Sequence, residues 1–494
     1  MRGGAPNRAI AGRGERETAE VVGLTHDGEG IVRAAKTVFV AGALPGETIS
    51  FERTRKHRQH DEGRLLEVLR PAAERVQPRC AHFGVCGGCA LQHLAPEAQL
   101  TLKEKELRDN LERVAHVECR TWLPPLRGPV WGYRRRARLG AKYVPKKGKV
   151  VVGFRERLAP YVADVTQCHV LAAPVGELVQ PLAELLGALD IRQHVPQIEV
   201  AVGDDATALV LRVLRAPSEE DLGKLRAFAA SHAVRIHLQS GGLDSVAELT
   251  VDEPAATPDE SAAALSGSAA PGQSVAPGQS VAPGESAPRS VPRVRPLSYA
   301  LTDFGLELEF APTDFVQVNG AINRALVARA VELLQPTRQS RVLDLYCGLG
   351  NFTLALARSA GQVVGVEGEA GLVERARRNA RRNGLSNVEF HAGDLSKPTE
   401  LPAGWLRGPY THVLLDPPRV GATPDMLAAI ARPAGPDTHH VPQRVLYVSC
   451  HPGSLARDLG ILVHEHGFIL ESAGVVDMFP HTAHVESMAL LRRP

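Results

Sequence analysis

Short apolar runs of strand length recur along the C-terminal part of the chain, and segments of helical character separate them. Several of these runs end abruptly in a residue that can do chemistry, as Leu414–Asp416 and Val445–Cys450 do. Such placement is typical of the carboxyl edge of the sheet in an α/β enzyme. The pattern predicts an α/β domain over residues 311–494.

Alternation of apolar and polar positions dominates the N-terminal part of the chain instead. It runs over residues 17–70 and is interrupted by turns at 27–30 and 45–47. Short strands at this spacing predict a small OB-like barrel, which is a common platform for single-stranded RNA. We assign residues 17–73 to this barrel.

The remaining residues divide by composition. Residues 74–310 form a mixed, β-rich central domain, in which 94–117 has the pattern of one amphipathic helix. Residues 252–296 are rich in Pro, Ala, Ser and Gly and repeat a hexapeptide, so they cannot bury enough apolar surface to offset the entropy of ordering. We predict a disordered insertion there and a flexible basic tail over residues 1–16.

The formal charge of +2 on 494 residues says little about partners, but the local charge says more. Between Trp131 and Arg157 there are ten Lys or Arg residues against one acid. Arg134–Arg136 beside Trp131 and Tyr133 favour contact with RNA phosphates and bases. The alternative is a solvated basic hairpin around residues 146–149.

Seven cysteines include a group with the spacing of a metal site. Cys80, Cys86 and Cys89 give C-x5-C-x2-C, and Cys168 is a distant fourth thiol. Four thiolates suit either a [4Fe–4S] cluster or a structural zinc ion, and the spacing leaves both open. An odd cysteine count, the thiol site and the lack of an apolar secretory segment or membrane-length run predict a cytoplasmic protein outside the membrane. We expect a monomer.

A strand that begins at Arg341 leads into a glycine-rich turn, with glycines at 348 and 350 that let the backbone approach a ligand at a helix N-terminus. Three successive strands end in the acids Asp344, Glu367 and Asp394, and such a ladder of acids suits a ligand that is cationic or rich in hydroxyl and amino donors. A carboxylate at the end of the second strand can bind both ribose hydroxyls. Because no P-loop lysine is present, a polyphosphate fits poorly, whereas S-adenosylmethionine fits well.

The candidates for chemistry lie further along the chain. A free cysteine is most often a small buried hydrophobe, but Cys450 ends a strand next to two acidic motifs. Asp416 precedes two prolines, whose fixed φ angles make a rigid shelf at a strand end. Glu486 is the acid of the closing segment 479–486, and without further information it could equally be a solvated strand-edge residue.

In order, the motifs D-L-Y-C-G-L-G-N-F, V-G-V-E, A-G-D, L-L-D-P-P-R, Y-V-S-C and H-V-E, at 344–486, resemble the uracil-5 RNA methyltransferase family. Its ribosomal members also carry a TRAM domain and an iron–sulfur cluster, and the resemblance covers nearly the whole chain. It implies a Rossmann-like class I methyltransferase domain at 311–494, a TRAM barrel at 17–73 and a helix at 94–117 packed on the catalytic domain.

The resemblance also implies a mechanism. Cys450 would attack C6 of a uridine, the activated C5 would take the methyl group of S-adenosylmethionine, and Glu486 would remove the C5 proton, with Asp416 beside both cofactor and base. Covalent addition makes sense because C5 of uracil is too weak a nucleophile to be methylated directly. On acid–base grounds alone, His481 and His484 are rivals for the role of base.

By motif, the family's cofactor contacts fall on Gln317, Tyr346, Asn351, Glu367, Asp394 and Asp416. The resemblance favours a [4Fe–4S] cluster over zinc, with Cys80, Cys86, Cys89 and Cys168 as ligands. One departure is His451, where the family usually has Asn after the nucleophile. Its imidazole could lower the thiol pKa or simply occupy the turn.

The expected activity is therefore transfer of a methyl group to C5 of a uridine in RNA, with 23S ribosomal RNA favoured over transfer RNA. Cytosine-5 RNA methyltransferases also use a cysteine nucleophile, but they place a second cysteine after the proline of the motif at 416–419, and none is present here. A third alternative is a non-catalytic RNA-binding or assembly factor that keeps an idle methyltransferase fold.

Overall fold

The computed structural model describes residues 15–157, 159–250, 294–406, 408–431 and 442–494. Apart from residues 15–16 and 294–296, the predicted tail and the predicted insertion lie outside the described residues.

The N-terminal strands close into a barrel in the order β1-β2-β3-β5-β4. Its interior is apolar: Val32, Val38, Ile49 and Phe51 have no exposed surface. These side chains come from alternate positions of each strand, since successive residues of a strand point to opposite faces. The strands are β1 (Arg16–Leu24), β2 (Glu29–Val32), β3 (Val38–Ala41), β4 (Thr48–Lys56) and β5 (Asp61–Arg70).

Helix α1 (Pro96–Asn110) follows the barrel and continues into a π-helical turn at Leu111–Ala115. Pro96 suits the first turn because an N–H there has no intrahelical partner. Leu100 and Leu107 of α1 are buried in the core of the C-terminal domain. The next strand, β6 (Thr121–Trp122), pairs with that domain's sheet as well. The chain therefore visits the C-terminal domain early and returns to it after residue 300.

The central domain is a mixed sheet of order β12-β11-β10-β9-β7-β8, with two helices packed on it. Its elements are β7 (Arg136–Val144), β8 (Lys149–Gly153), α2 (Val175–Gly187), β9 (Gln197–Val202), β10 (Thr207–Arg212), α3 (Glu219–Ser231), β11 (Val234–Gln239) and β12 (Val246–Glu248). A hairpin of β13 (Leu297–Leu301) and β14 (Leu306–Phe310) follows. Short 3-10 turns lie at Pro145–Lys147, Leu243–Ser245, Thr302–Phe304 and Pro398–Glu400.

The C-terminal domain is a doubly wound sheet of order β17-β16-β15-β18-β19-β21-β20-β6. The first five of these strands run parallel, and β21 returns antiparallel between β19 and β20. The elements are α4 (Gly320–Leu334), β15 (Arg341–Leu345), α5 (Thr353–Ala357), β16 (Gln362–Glu367), α6 (Ala370–Arg382), β17 (Val388–Ala392), α7 (Ala403–Leu406), β18 (His412–Leu415), α8 (Pro424–Ala431), β19 (Arg444–Ser449), α9 (Pro452–His464), β20 (Ile469–Val476) and β21 (Glu486–Arg492).

Helices cover both faces of this sheet, which explains why its strands are continuously apolar. Leu414 and Leu446 face one core, whereas their neighbours Leu415 and Tyr447 face the other. The order of the strands reverses between β15 and β18, and in such sheets the crevice at the carboxyl ends beside that point is the binding site. The predicted α/β, Rossmann-like fold with an N-terminal barrel is confirmed. Among the described residues, no helix combines the length and apolar composition that crossing a membrane requires.

Candidate active site and cysteine site

Cys450 directly follows β19, and Glu486 begins the neighbouring antiparallel strand β21. The register of β19 and β21 ends with the pair Ser449 and Ser487, so Cys450 and Glu486 occupy the next position across from each other. Glu486 is only 5 % exposed, whereas Cys450 is partly exposed. Two residues that are 36 positions apart in the sequence are thus held together by backbone pairing.

Burial and neighbouring carboxylates raise the pKa values of both groups. Burial, with help from the charge of Asp416, raises the pKa of Glu486 to about 8, and its Oε2 has no hydrogen-bond partner. Burial, followed by the charges of Glu486 and Asp416, raises the pKa of the Cys450 thiol to about 11. A carboxyl group that titrates near neutrality is suited to moving a proton at physiological pH.

Asp416 follows β18 and reaches the same crevice. Burial, followed by the charge of Glu367, raises its pKa to about 7. The loop after it is fixed from α9, because Ser454 Oγ donates to the Arg419 carbonyl at 2.9 Å and Asp458 accepts from the Ala422 N–H at 2.8 Å. Hydrogen bonds from α9 therefore hold in place the rigid loop expected from Pro417 and Pro418.

Two positively charged residues near the site were not assigned a role by sequence reasoning. Arg419 lowers the pKa values of both Cys450 and Glu486, and its Nη2 lies 3.3 Å from His484 Nδ1. Lys103 of α1 also lowers the pKa of Glu486, from a buried position 2.8 Å from Asp477 Oδ1. No sequence signal marks Lys103, because a lysine in an amphipathic helix is ordinarily exposed.

His451 caps a helix. Its Nδ1 accepts the Ser454 N–H at 3.1 Å, which makes it the N-cap of α9. Burial lowers its pKa, so the ring is the neutral acceptor that this bond requires. Of the two interpretations of His451, the structure supports the one in which the ring occupies the turn.

The rival bases have other surroundings. His481 is 3 % exposed, and its ring stacks on Trp131 with ring centroids 3.9 Å apart. His484 lies closer to the crevice, beside Arg419 and Phe479. Burial lowers the pKa values of both imidazoles, that of His481 to about 4.

The glycine-rich loop bends back over the end of β16. Tyr346, Gly348 and Gly350 all have positive φ angles, of 64°, 56° and 95°. The Glu367 carboxylate accepts the Gly348 N–H at 3.0 Å and the Glu369 N–H at 3.1 Å. Glu367 therefore lies beside the glycine-rich loop, where its carboxylate can accept hydrogen bonds from ribose hydroxyls.

The other two strand acids differ from each other. Asp394 is exposed two residues beyond β17, and it accepts bonds from the N–H and hydroxyl of Ser396, which lower its pKa. Asp344 lies within β15 rather than at its end, with no exposed surface, and accepts a bond from Thr353 Oγ1 at 2.5 Å. The expectation that Asp344 belongs to an accessible ladder of acids is wrong, since its carboxyl group fastens α5 to the sheet.

Gln317 and Asn351 lie close to the same hairpin. Gln317, Tyr299 and Asn323 line one small cavity. Asn351 and Asn323 exchange two hydrogen bonds of 2.9 Å, and Asn351 Oδ1 also accepts the Tyr299 hydroxyl at 2.9 Å. These bonds leave the Asn351 side chain one amide hydrogen to offer a ligand.

The basic segment after Trp131 divides in two: the residues next to Trp131 are bonded within the protein, whereas Arg138, Lys142 and the lysines of residues 146–149 are exposed. Tyr133 is 5 % exposed and donates to the Pro480 carbonyl at 3.0 Å. Arg135 pairs with Asp204, and Arg136 donates to backbone carbonyls of β9 and of residue 312. Tyr133, Arg135 and Arg136 thus have bonding partners inside the protein, and contact of this segment with RNA stays a prediction.

The four cysteines converge on one pocket, although Cys168 is separated from the others by about eighty residues. The pocket is lined by Cys80, Cys86, Cys89 and Cys168, together with Phe83 and Phe154. Burial raises the pKa of Cys86 to about 11 and that of Cys89 to about 12, and the neighbouring thiols add to the effect. The Gly88 N–H points to the Cys86 sulfur at 3.4 Å. A bound metal would offset the charge of the thiolates, so the donor set fits a thiolate-ligated metal centre.

The sheet is doubly wound, and its switch point brings together a glycine-rich loop, an acid that can bind ribose hydroxyls, and a cysteine beside a buried carboxyl group. This is the arrangement of an S-adenosylmethionine-dependent methyltransferase. The family model described as tRNA (Uracil-5-)-methyltransferase matches residues 300–494. The 23S rRNA (uracil(1939)-C(5))-methyltransferases RlmD of Methylococcus capsulatus and Xanthomonas campestris are 45 % and 44 % identical to the chain, over 96 % of it and 96 % of each relative.

A solved structure agrees at the level of fold. The Pyrococcus abyssi tRNA (uracil-54, C5)-methyltransferase, crystallised with S-adenosyl-L-homocysteine, has a TM-score of 0.67 and 21 % identity, covering 96 % of this chain and 99 % of that one. The chain belongs to the uracil-C5 RNA methyltransferase family, as the resemblance of its motifs implied, and is an S-adenosylmethionine-dependent enzyme.

Proposed function

We propose that this enzyme methylates C5 of one uridine of 23S ribosomal RNA, the position equivalent to uridine 1939 in the name of its relatives. Identity of 45 % over 96 % of both chains supports this choice of RNA. The observation that carries the chemistry is the placement of Cys450 across from Glu486, with Asp416 in the same crevice.

In the proposed reaction the Cys450 thiolate adds to C6 of the uridine, and the electrons of the C5–C6 double bond move onto O4. The C5 carbon then takes the methyl group that S-adenosylmethionine supplies when bound. Glu486 removes the C5 proton, the double bond re-forms, and the bond between Cys450 and C6 breaks. Addition at C6 thus divides one difficult step into two easier ones.

The coupled charges suit this order of events. Repulsion from Glu486 raises the pKa of the Cys450 thiol, so the thiolate forms more readily while Glu486 is protonated. Once the Cys450 sulfur is bonded to C6, it carries no charge. It then no longer opposes the ionisation of Glu486. Arg419, whose charge lowers the pKa values of both groups, helps each ionisation in turn.

For the cofactor we propose that Glu367 binds the ribose hydroxyls and that Asp416 lies between the methyl donor and the uridine. The exposed Asp394 would face the adenine, and Tyr346 would support it through the bend of the glycine-rich loop. Gln317 and the free amide hydrogen of Asn351 complete the set. The two acids and the loop lie at the carboxyl ends of β16, β17 and β15, where the switch point of the sheet places the cofactor.

We infer that Cys80, Cys86, Cys89 and Cys168 hold a [4Fe–4S] cluster. Support comes from four thiols in one pocket, an apolar wall containing Phe83 and Phe154, and a backbone N–H directed at a ligand sulfur. Hydrogen bonds to sulfur and exclusion of water are what tune such clusters. With no further protein donor required, the cluster would be structural, and zinc is the alternative that metal analysis distinguishes.

We further propose that the barrel is a TRAM domain that binds the RNA. His60 stacks between Phe39 and His57, with ring centroids 4.7 and 4.6 Å apart, beside Lys36 and Arg55. Aromatic faces flanked by cations bind single-stranded bases without sequence readout. His57, His60 and Glu62 also bring ligand atoms within 4.8 Å of one another, but the parallel stacking of the two rings favours base contact over metal binding. A ribosomal substrate and reduced thiols fit a monomer acting in the cytoplasm.

Nucleoside mass spectrometry tests the proposal. Ribosomal and transfer RNA from cells lacking the gene are incubated separately with purified protein and methyl-labelled S-adenosylmethionine. We expect labelled 5-methyluridine in 23S RNA only, at the position equivalent to 1939 after fragment mapping. Label in transfer RNA would overturn the choice of substrate, and label in 5-methylcytidine would overturn the uridine chemistry. Absence of label with cofactor bound would support the non-catalytic alternative.

A further inference from the structure

The loop between β20 and β21 ends at Glu486, yet it is held from outside the C-terminal domain. Three consecutive carbonyl groups accept bonds from distant segments. Lys103 Nζ donates to the Phe479 carbonyl at 3.0 Å, and the Tyr133 hydroxyl donates to the Pro480 carbonyl at 3.0 Å. The His481 carbonyl accepts the N–H groups of Ala90 and Leu91, both at 2.9 Å.

Helix α1 adds two buried contacts. Lys103 pairs with Asp477 at the start of the loop, with side chains 3 % and 9 % exposed. Gln99 accepts the His481 N–H at 2.8 Å and donates to the carbonyls of Leu91 and Leu94 at 3.0 and 2.8 Å. A single side chain thus ties the loop to the segment that follows the cysteine motif.

His481 itself is held in an unusual conformation. Its φ angle is 65°, a value that non-glycine residues adopt when surrounding contacts impose it. Its ring stacks on Trp131 at 3.9 Å with an interplanar angle of 28°. The stack and the bonds to its backbone N–H and carbonyl fix the residue on both sides.

The contacts lead directly to the cysteine pocket. Ala90, which bonds to the His481 carbonyl, follows Cys89. Arg79, which precedes Cys80, lies over the Trp131 ring at 5.3 Å, and His169, which follows Cys168, meets the edge of the same ring at 6.2 Å. Three of the four cysteines therefore adjoin a residue that contacts Trp131 or His481.

The nucleophile is anchored differently. Cys450 is followed by His451, whose ring caps α9, and Ser449 Oγ accepts the His451 N–H at 3.2 Å. These bonds lie within the C-terminal domain and involve no residue of the loop. The backbone of Glu486 is paired with Val476 of β20, so movement of the loop would change the direction of the Glu486 carboxyl group and leave Cys450 in place.

We propose that Trp131 and His481 are positioning residues that couple the assembled four-cysteine site to the general base, so that this site governs proton removal from C5 and not the addition of Cys450. The proposal rests on the roles proposed above for Cys450 and Glu486. A displacement of about 1 Å at a reacting group can cost up to about a hundredfold in rate, so a small shift of this loop is sufficient.

The test is a single-turnover assay on the substrate RNA with Trp131→Ala, and Trp131→Phe as the matched control. Adduct formation and decay are followed on denaturing gels, and hydrogen exchange is measured over residues 479–486. We expect Trp131→Ala to form the covalent adduct at the wild-type rate but to resolve it roughly tenfold or more slowly, with faster exchange in the loop. Trp131→Phe, which keeps an aromatic face for His481, should restore both. Wild-type adduct decay and exchange in Trp131→Ala would overturn the proposal, as would slower addition with normal decay.

Two further measurements keep the outcome decisive. Cys168→Ala, prepared as the full chain, should show the same faster exchange over 479–486, while Cys119→Ala should not; unchanged exchange in Cys168→Ala contradicts the coupling even if Trp131→Ala does not fold. Glu486→Gln in the same assay separates the two levels of inference. If it accumulates adduct and Trp131→Ala does not, the coupling alone fails, and if neither does, the role of Glu486 fails.

Discussion

Glu486 stands across from Cys450, one position beyond the last backbone pair of β19 and β21. The separation of the backbones of nucleophile and base is therefore set by strand pairing. What remains adjustable is the direction of the Glu486 carboxyl group, because its residue begins a strand and the preceding loop determines how it enters the site.

Replacing the nucleophile should separate chemistry from binding. Cys450→Ala removes the sulfur that adds to C6, so we expect loss of both methyl transfer and the covalent adduct, with cofactor affinity nearly unchanged. Filter binding with labelled S-adenosylmethionine and the nucleoside assay measure the two effects. Cys119→Ala, a partly exposed cysteine outside the crevice, is the control and should retain activity. Turnover by Cys450→Ala would show that the nucleophile is misassigned.

Replacing the base should trap the intermediate. Glu486→Gln keeps the size of the buried side chain but cannot accept a proton, so addition and methyl transfer proceed while elimination stalls. We expect a protein–RNA adduct that survives denaturation and carries the label. A gel without such a band, from protein that still binds RNA, would exclude Glu486 as the base.

The same substitution should change the reactivity of the thiol. The charge of Glu486 is one cause of the raised pKa of Cys450, which is about 11. A neutral amide removes this repulsion, so the thiolate forms at lower pH. We expect the pH dependence of Cys450 alkylation, measured by mass spectrometry of its peptide, to shift to lower pH in Glu486→Gln. An unchanged profile would mean that the two groups are not electrostatically coupled.

Lys103→Met should destabilise the protein and shift the titration of the base. It leaves Asp477 buried without its partner, and breaking a buried ion pair costs about 3–5 kcal/mol. Because the charge of Lys103 lowers the pKa of Glu486, which is about 8, its loss raises that pKa further. Since elimination needs the ionised carboxylate, its pH profile should move to higher pH. Lys105→Met, an exposed neighbour on α1, should change neither thermal stability nor the profile.

Cys168→Ala should prevent the metal centre from forming. We expect loss of the visible absorbance of an iron–sulfur cluster and of bound iron by metal analysis, whereas Cys119→Ala keeps both. An unchanged spectrum would exclude Cys168 as a ligand. Zinc in the wild-type protein, with no iron and no absorbance, would replace the cluster by a structural zinc site.

The sequence alone determined the elements whose causes are local. Apolar runs ending in Asp416 and Cys450 predicted the strands and the edge at which they meet, since parallel strands present their carboxyl ends together. Turn spacing predicted the barrel. The motif order identified the family, because each motif combines a backbone requirement with a reactive side chain over a few adjacent residues.

Only the tertiary structure decided what depends on distant partners. Lys103 and Asp477 are 374 positions apart, and nothing in either segment marks them as a buried pair. Asp344 and Arg136 look available in sequence, but in the fold Asp344 is buried, Arg136 is half-buried, and both are hydrogen-bonded within the protein. The contacts of His481 with Trp131 and with the segment that follows Cys89 likewise cannot be recognised in the sequence. Burial and long-range hydrogen bonding are properties of the packed chain, so the residues that support the site could be found only once its three domains were in place.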